Sequence, residues 1–485
     1  MSIQEYRMLI DGELVGAEGG RTYENINPAN EEVIGTAPNA SVGDVERAIR
    51  AARKAFETTS WSTDASLRRR SLGQLQAALT KNLDTLRPIL VAEAGSPIAL
   101  TYDIMLDTSI PMMSHYIDLL DSYDFERTID PAPGDDPGLR RIIRHEAIGV
   151  VSAITPWNYP FYLAIAKLTA ALAAGNTVVL KPAPDTPWNT LEIGRIVKEY
   201  TDIPDGVVNI VSTDDNEVAA VLTSHPEVDA ITFTGSTATG RRIMAAAAPT
   251  VKRVTLELGG KSSAILLDDA DFGSVIPGVA GSTCSHAGQG CGIYSRLVVP
   301  RSRLDEAVEI AVAVMQQMPW GDPNDPGNYM GPLANKRQYE SVLRFYDIAQ
   351  QTSRVVLGGK ASNRFEKGYW VEPTVITDVD SLSTVPQEEI FGPLLSILSY
   401  EDDADAVRIS NNTIYGLAGG VWSADVERAM NVARGMRAGS IGVNGAMWMH
   451  ESVPFGGYKQ SGVGREWGVQ GLEDLMETKS IARPA

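Results

Sequence analysis

The sequence predicts an α/β fold with a parallel sheet, on three observations. From Ile148 onward, short apolar strands alternate with helices. Turn formers mark the joints, as Gly175 does behind the apolar run 160–174. Three polar or glycine-bearing segments fall where strands end: Thr155-Pro156-Trp157-Asn158, Lys181-Pro182-Ala183-Pro184 and Thr234-Gly235-Ser236. Parallel sheets bind ligands beyond the C-terminal ends of their strands, so these segments are site candidates.

Residues 1–40 carry the turn pairs Asp11-Gly12, Gly19-Gly20, Asn27-Pro28 and Pro38-Asn39, and read as short hairpins outside the core. Ser41 caps a helix, with Asp44 three residues on and Val45, Ala48, Ile49, Ala52 and Phe56 on one face. More helices fill 64–120, where Arg68-Arg69-Arg70 reads as a solvated face in preference to an anion patch. Residues 121–145 turn polar, break at Pro131-Ala132-Pro133-Gly134 and alternate from Leu139, like an arm leaving the domain body. Strands are expected at 148–154, 177–180, 207–211, 230–233 and 254–258. Thr186-Pro187 opens a helix as N-cap and first residue. The tail from Leu472 alternates weakly and suits a strand added to another chain.

The totals exclude several classes. Lys and Arg number 42 against 61 Asp and Glu, a formal charge of −19, which argues against nucleic acid and anionic membrane surfaces. At 44% hydrophobic and 21% charged, the composition is globular. The length fits about three domains of ~150 residues. Two cysteines, Cys284 and Cys291, make no disulfide framework, so a reducing, cytoplasmic setting is expected. No apolar run reaches the ~20 residues that span a bilayer, and Met1 to Arg7 show no signal-peptide core. The five histidines, at 115, 145, 225, 286 and 450, are too scattered for a zinc site, and no metal is expected. His286 leaves a Cys–His pair open.

Chemistry gathers around a few residues. Gly288, Gly290 and Gly292 crowd Cys291 and leave its thiol open to a substrate, although a lone cysteine also reads as a small buried hydrophobe. Glu257 stands between Leu256 and Leu258 and before Gly259-Gly260-Lys261. A desolvated glutamate has a raised pKa and suits general-base work; a solvent-facing strand residue is the alternative. In Phe233-Thr234-Gly235-Ser236-Thr237-Ala238-Thr239-Gly240, Ser236 caps a helix whose start either binds phosphate or is a plain capped turn. Lys181 offers a cation for a ribose or phosphate. Glu389 and Phe391 share a face if their segment is extended, an acid for ribose hydroxyls beside a ring for a flat cofactor. A second glycine-rich stretch runs from Pro454 to Glu466.

Taken together, the segments Thr155-Pro156-Trp157-Asn158, Lys181-Pro182, Phe233-Thr234-Gly235-Ser236, Glu257-Leu258-Gly259-Gly260-Lys261, Gly288-Gln289-Gly290-Cys291, Glu389-Ile390-Phe391-Gly392-Pro393 and Pro454-Phe455-Gly456-Gly457 resemble the NAD(P)-dependent aldehyde dehydrogenase superfamily. The seven stand in the family's order, and the similarity covers nearly the whole chain. The resemblance implies a Rossmann-like cofactor domain at 1–120 and 146–253, an α/β catalytic domain at 254–455 and a small β oligomerisation arm at 121–145 and 456–485. It implies a homodimer or homotetramer acting on a small aldehyde with NAD or NADP.

By the same resemblance Cys291 is the nucleophile and Glu257 the base, while Asn158 and the Cys291 N–H form the oxyanion hole. Lys167 and Glu466 match positions tied to proton handling. Thr155, Pro156, Trp157, Lys181, Pro184, Gly235, Ser236, Leu258, Gly259, Glu389 and Phe391 fall to the cofactor. Tyr159, Leu163, Trp448 and Phe455 line the substrate tunnel. No cation stands among those four, so an apolar or aromatic aldehyde is expected over a semialdehyde carboxylate. Pro184 replaces an acid frequent in NAD-preferring members, which removes a repulsion toward a 2′-phosphate and admits NADP. Residues 211–216 lack the glycine many members carry, and Ser263 replaces a common proline. Transfer of the acyl group to coenzyme A is the rival reaction, and relatives that perform it usually lack the glutamate kept here as Glu257. A non-catalytic binding protein on the same fold is the other alternative, against which the Cys291, Glu257 and Asn158 set speaks.

Overall fold

The computed structural model describes residues 5–130, 134, 136 and 138–484. The break at Pro131-Ala132-Pro133 and the first four residues lie outside them. The alternation predicted from Ile148 builds the middle of an eight-stranded sheet. Arg253–Glu257, Ala230–Thr234, Val150–Ile154, Thr177–Lys181 and Val208–Ile210 lie side by side and parallel. The chain starts at Val150–Ile154, runs one way to Val208–Ile210, then lays Ala230–Thr234 on the opposite flank. That reversal opens a crevice beyond the ends of Val150–Ile154 and Ala230–Thr234. Thr155 and Gly235 follow those ends directly.

Helices pack on the central strands of the sheet, which are buried almost throughout instead of half-exposed. Thr177–Lys181 and Ala230–Thr234 are buried at every position. So is the helix Pro160–Ala173, which explains why its sequence is apolar all round. Gly175 follows it with φ +95°. The capping box at Ser41 and Asp44 forms as predicted.

Local reading failed at three places. Met8–Ile10 is not outside the core: it is fully buried and pairs antiparallel with Val208–Ile210, with Glu13–Val15 beyond it as the edge strand. Arg68 is not on a solvated face, although Arg69 and Arg70 are exposed. Its buried guanidinium donates to the carbonyls of Ala173, at 3.1 Å, and Trp61, at 2.9 Å. The tail does form a strand, Met476–Pro484, at the edge of a small sheet in which it pairs antiparallel with Leu139–Ala147, and that in turn with Glu126–Ile129. Gly462–Val463 joins the eight-stranded sheet beside Arg253–Glu257 instead of this small sheet.

The second large sheet has seven strands. Thr374–Thr377, Leu394–Tyr400, Tyr294–Pro300, Ser262–Leu266, Ala418–Trp422 and Ser440–Val443 are parallel, and Arg354–Leu357 closes one edge antiparallel. Among the described residues no helix is long and apolar enough to cross a membrane.

The helix after Lys181 shows a long-range contact replacing a local cap. It spans Trp188–Tyr200, with Pro187 at the N-cap and no side-chain cap of its own. Glu93, from the helix Leu83–Ala94, fills that role. Its carboxylate accepts from the N–H groups of Trp188 (2.9 Å) and Asn189 (3.0 Å), and from the side-chain amides of Asn189 (3.0 Å) and Asn25 (3.1 Å). Burial nevertheless pushes its pKa up to about 7. Glu93→Ala strands these donors in a dry site and is expected to cost about 3 kcal/mol in denaturant unfolding; a loss under about 0.5 kcal/mol, the size of a neutral surface change, would contradict this.

Candidate active site

The two large sheets meet at a four-residue joint. Arg253–Glu257 belongs to the first and Ser262–Leu266 to the second, and only Leu258, Gly259, Gly260 and Lys261 lie between. Glu257 closes the first strand. It is 2% exposed, and neither carboxylate oxygen has a hydrogen-bond partner. Burial raises its pKa well above the usual carboxylate range, and the Glu466 carboxylate adds to this; the Lys167 and Arg465 cations pull it back. Glycines permit the crowding. A Cβ on Gly260 would lie 2.5 Å from the Cys291 carbonyl oxygen, and one on Gly456 would lie 2.7 Å from Glu257 Oε1.

The cysteine loop leaves the helix Phe272–Cys284 through a kink, with His286 at φ +47° and Ala287 at φ +54°. Cys284 is buried and Cys291 partly exposed; both are free thiols. Burial pushes the Cys291 thiol up to about 12, helped by the Glu389 and Glu257 carboxylates; its own backbone N–H, turned toward the sulfur, pulls it down. Asn158 is buried beside this loop and donates to the Gln289 carbonyl at 2.8 Å. A primary amide has a second hydrogen to give. Gln289 is itself anchored, donating to His286 O at 2.9 Å and accepting from Ala334 N at 2.8 Å. His286 forms no pair with Cys291: its ring is buried edge-on to Tyr159, 5.8 Å away, with neither nitrogen hydrogen-bonded. Burial lowers its pKa to about 4, so the ring is neutral near pH 7.

The crevice at the switch point gathers the residues expected to hold the cofactor. Thr155 N donates to Lys181 O, and Gly235 N to Glu257 O, both at 3.0 Å. Ser236 caps the helix Thr237–Ala247, accepting from Thr239 N at 3.2 Å. Lys181 is buried, donates to Pro182 O at 2.8 Å, and is lowered to about 8 by burial; Asp185 and Asp214 oppose that shift. Leu258 packs on Gly240, where a Cβ would lie 2.7 Å from it. A Cβ on Gly259 would sit 2.0 Å from Glu389 Oε2, and Glu389 accepts from Gly260 N at 2.9 Å. Trp157 meets Phe391 edge-on at 5.3 Å. Glu389 and Phe391 do not come together through an extended strand, because Phe391 has φ +57°. Gln338 holds the turn by donating to the carbonyls of Ile390 and Phe391, both at 2.9 Å.

Aromatic side chains flank the thiol. The Tyr159 hydroxyl would lie 3.5 Å from a Cβ on Gly290, and Leu163 is buried on the same helix. Trp448 stacks on Phe455 at 5.7 Å and donates to the Tyr294 hydroxyl at 3.3 Å. A Cβ on Gly292 would strike Trp448 at 2.8 Å, so this glycine makes room for the ring. Beneath lies a buried ion pair, Lys167 to Glu466, with Lys167 also donating to the Thr232 hydroxyl at 3.1 Å. Sequence reasoning missed Tyr162 and Trp467, whose side chains share a 2.9 Å hydrogen bond next to this pair. Tyr162 hides in an apolar run that gives no functional signal. Among the described residues no group of three or more His, Cys, Asp or Glu is placed to hold a metal ion.

Known proteins share this architecture. The pattern of the Aldehyde dehydrogenase family matches residues 14–481. The chain is 40% identical to a 3-succinoylsemialdehyde-pyridine dehydrogenase of a Pseudomonas species, over 99% of each chain. It superposes on a betaine aldehyde dehydrogenase variant of Staphylococcus aureus in complex with NAD+, with TM-score 0.95, 34% identity, and 99% and 96% of the two chains covered. It also superposes on a cysteine-to-alanine variant of aldehyde dehydrogenase C from Pseudomonas syringae, solved with NAD+ and octanal, with TM-score 0.93, 36% identity, and 99% and 97% covered. An open parallel sheet with a crevice where its strand order reverses is the architecture of a doubly wound α/β protein. The chain belongs to the aldehyde dehydrogenase family and is an NAD(P)-dependent aldehyde dehydrogenase.

Proposed function

We propose that this enzyme oxidises an apolar or aromatic aldehyde to its carboxylic acid, with NAD as the preferred acceptor. The convergence of Cys291, Glu257 and Asn158 at one joint, approached past aromatic side chains, carries the reading. Glu257 takes the Cys291 proton and passes it on, and the thiolate adds to the aldehyde carbonyl. The resulting oxyanion is met by the Cys291 N–H and the free amide hydrogen of Asn158, each worth about 3 kcal/mol in such sites. When bound, NAD(P) accepts the hydride and brings a cationic ring that favours the thiolate. A thioester is left on Cys291. Glu257 takes a proton from water, the hydroxide attacks the thioester, and the acid leaves as the thiolate is restored. Lys167 favours the ionised, basic form of Glu257, and with Glu466 it passes the proton on.

The residues present fit the dinucleotide. The helix start capped by Ser236 offers N–H groups to phosphate, with Gly235 allowing approach. Lys181 and Glu389 suit ribose hydroxyls. Thr155, Pro156, Trp157, Leu258, Gly259 and Phe391 shape the walls. Pro184 removes one acid, but Asp185 and Asp214 still face Lys181, which disfavours a 2′-phosphate. Two relatives agree in kind: one is named for a pyridine-bearing aldehyde and another was solved with octanal. Specificity constants for a panel of aldehydes, measured with NAD and with NADP, test the reading. Aromatic and long-chain aldehydes with NAD are expected to lead; best turnover on succinate semialdehyde, or equal use of NADP, would contradict it.

We also propose a cytoplasmic homodimer or homotetramer, assembled through the small sheet of Glu126–Ile129, Leu139–Ala147 and Met476–Pro484. Support comes from the two free cysteines and from the last strand, which is exposed along eight of its nine residues. Light scattering of the purified enzyme is expected to give two or four chain masses, and a monomer would refute the assembly.

A further inference from the structure

We propose that Tyr294 is a specificity-determining positioning residue, whose hydroxyl holds the Trp448 indole as a flat wall beside the cysteine loop. This rests on the reading of Trp448 and Phe455 as part of the substrate wall. Trp448 lies in the stretch between Val443 and Lys459, which forms no helix or strand. No regular backbone therefore dictates where its ring points. Phe455 differs, because its backbone exchanges two hydrogen bonds of 2.7 Å with that of Glu466. The indole has to be oriented through its side chain.

Two contacts do this. The ring stacks on Phe455 at 5.7 Å, with 12° between the planes. Stacking alone lets a ring turn in its own plane. The second contact removes that freedom, since Trp448 Nε1 donates to the Tyr294 hydroxyl at 3.3 Å. An indole has this one donor and no acceptor, so the bond decides which edge faces inward. Held by its nitrogen, the ring brings Cη2 of its six-membered end against the cysteine loop, where a Cβ on Gly292 would lie 2.8 Å away. A turn of the indole would thus reshape the wall right beside Cys291.

Tyr294 has the setting of an anchor. It opens the strand Tyr294–Pro300, three positions after Cys291. The neighbouring strand residues Gly419, Gly420 and Trp422 hold its ring, all from Ala418–Trp422. Trp422 meets the ring edge-on at 5.6 Å. The hydroxyl turns its own hydrogen to the Gly419 carbonyl in a long contact of 3.5 Å, which leaves a lone pair for Trp448. Gly420 makes the room, since a Cβ there would lie 2.9 Å from the hydroxyl oxygen. The second sheet therefore sets the direction of a ring that its own loop cannot set. A flat aldehyde gains by packing on a fixed aromatic face, and a short alkyl aldehyde gains little.

Specificity constants for benzaldehyde and propanal with NAD test this in wild type, Tyr294→Phe, Trp448→Ala and the Tyr294→Phe/Trp448→Ala double variant. Circular dichroism confirms folding, and Tyr294→Met replaces the Phe variant if that one does not fold. Tyr294→Phe keeps the ring and removes only the hydroxyl. It is expected to lower the benzaldehyde-to-propanal ratio about fivefold, through KM for benzaldehyde and not through kcat. In the Trp448→Ala background the same change should add nothing. An unchanged ratio in Tyr294→Phe, an equal loss on both aldehydes, or the same loss with and without Trp448 would overturn the proposal. A wild-type ratio in Trp448→Ala, or no oxidation of benzaldehyde by the wild type, would overturn the wall reading itself, and the proposal with it.

Discussion

Gly259 and Gly260 set the constraint on which the rest of the molecule depends. In four residues the chain must leave one sheet and enter another, while Glu257, the Cys291 loop and Glu389 are pressed against the passage. A side chain at either glycine would displace part of the site. A Cβ at Gly259 would overlap the Glu389 carboxylate, and one at Gly260 would collide with backbone, which cannot swing aside. The acid that closes a strand of the first sheet and the backbone of the cysteine loop are thus both packed against one short joint. Displacements near 1 Å in such a site can cost about 10²-fold in rate.

The same closeness creates an electrostatic problem that the surroundings partly relieve. Glu257 is buried with no hydrogen bond, faces the Glu466 carboxylate, and is driven toward its neutral form. Lys167 lies between relief and restraint. It pairs with Glu466, which cancels a repulsion, and its charge still favours the ionised form of Glu257. Burial drives this carboxylate toward its neutral form, while the Lys167 and Arg465 cations draw it back toward the ionised one, the form in which a carboxylate accepts a proton. The thiol carries a related burden, since burial and three carboxylates, Glu389, Glu257 and Glu466, oppose its ionisation.

Much of this was legible in the chain, for identifiable reasons. The strands Val150–Ile154, Thr177–Lys181, Val208–Ile210 and Ala230–Thr234 are buried almost throughout, so they are mostly apolar and stand out in the chain. Cys291 and Glu257 announce themselves through neighbouring glycines, because close approach leaves a compositional trace. Other features leave none. Three residues, Met8–Ile10, are too few to show that they complete a large sheet. A run of three arginines does not say which one will find buried carbonyls; only packing against Ala173 selects Arg68. Thr186-Pro187 looks like a cap because sequence windows cannot contain Glu93, more than ninety positions earlier. The spacing of Glu389 and Phe391 suits an extended segment, and nothing local shows the positive φ of Phe391 or the Gln338 side chain that hydrogen-bonds its carbonyl.

The central claim is that a buried carboxylate at the joint releases the product from Cys291. Rapid mixing of the Glu257→Gln variant with aldehyde and NAD, followed by intact mass measurement, tests it most directly. The account predicts one rapid equivalent of reduced nicotinamide per site, slow turnover thereafter, and an acyl adduct that a second change, Cys291→Ala, abolishes. Linear turnover at the wild-type rate, with no adduct, would contradict it.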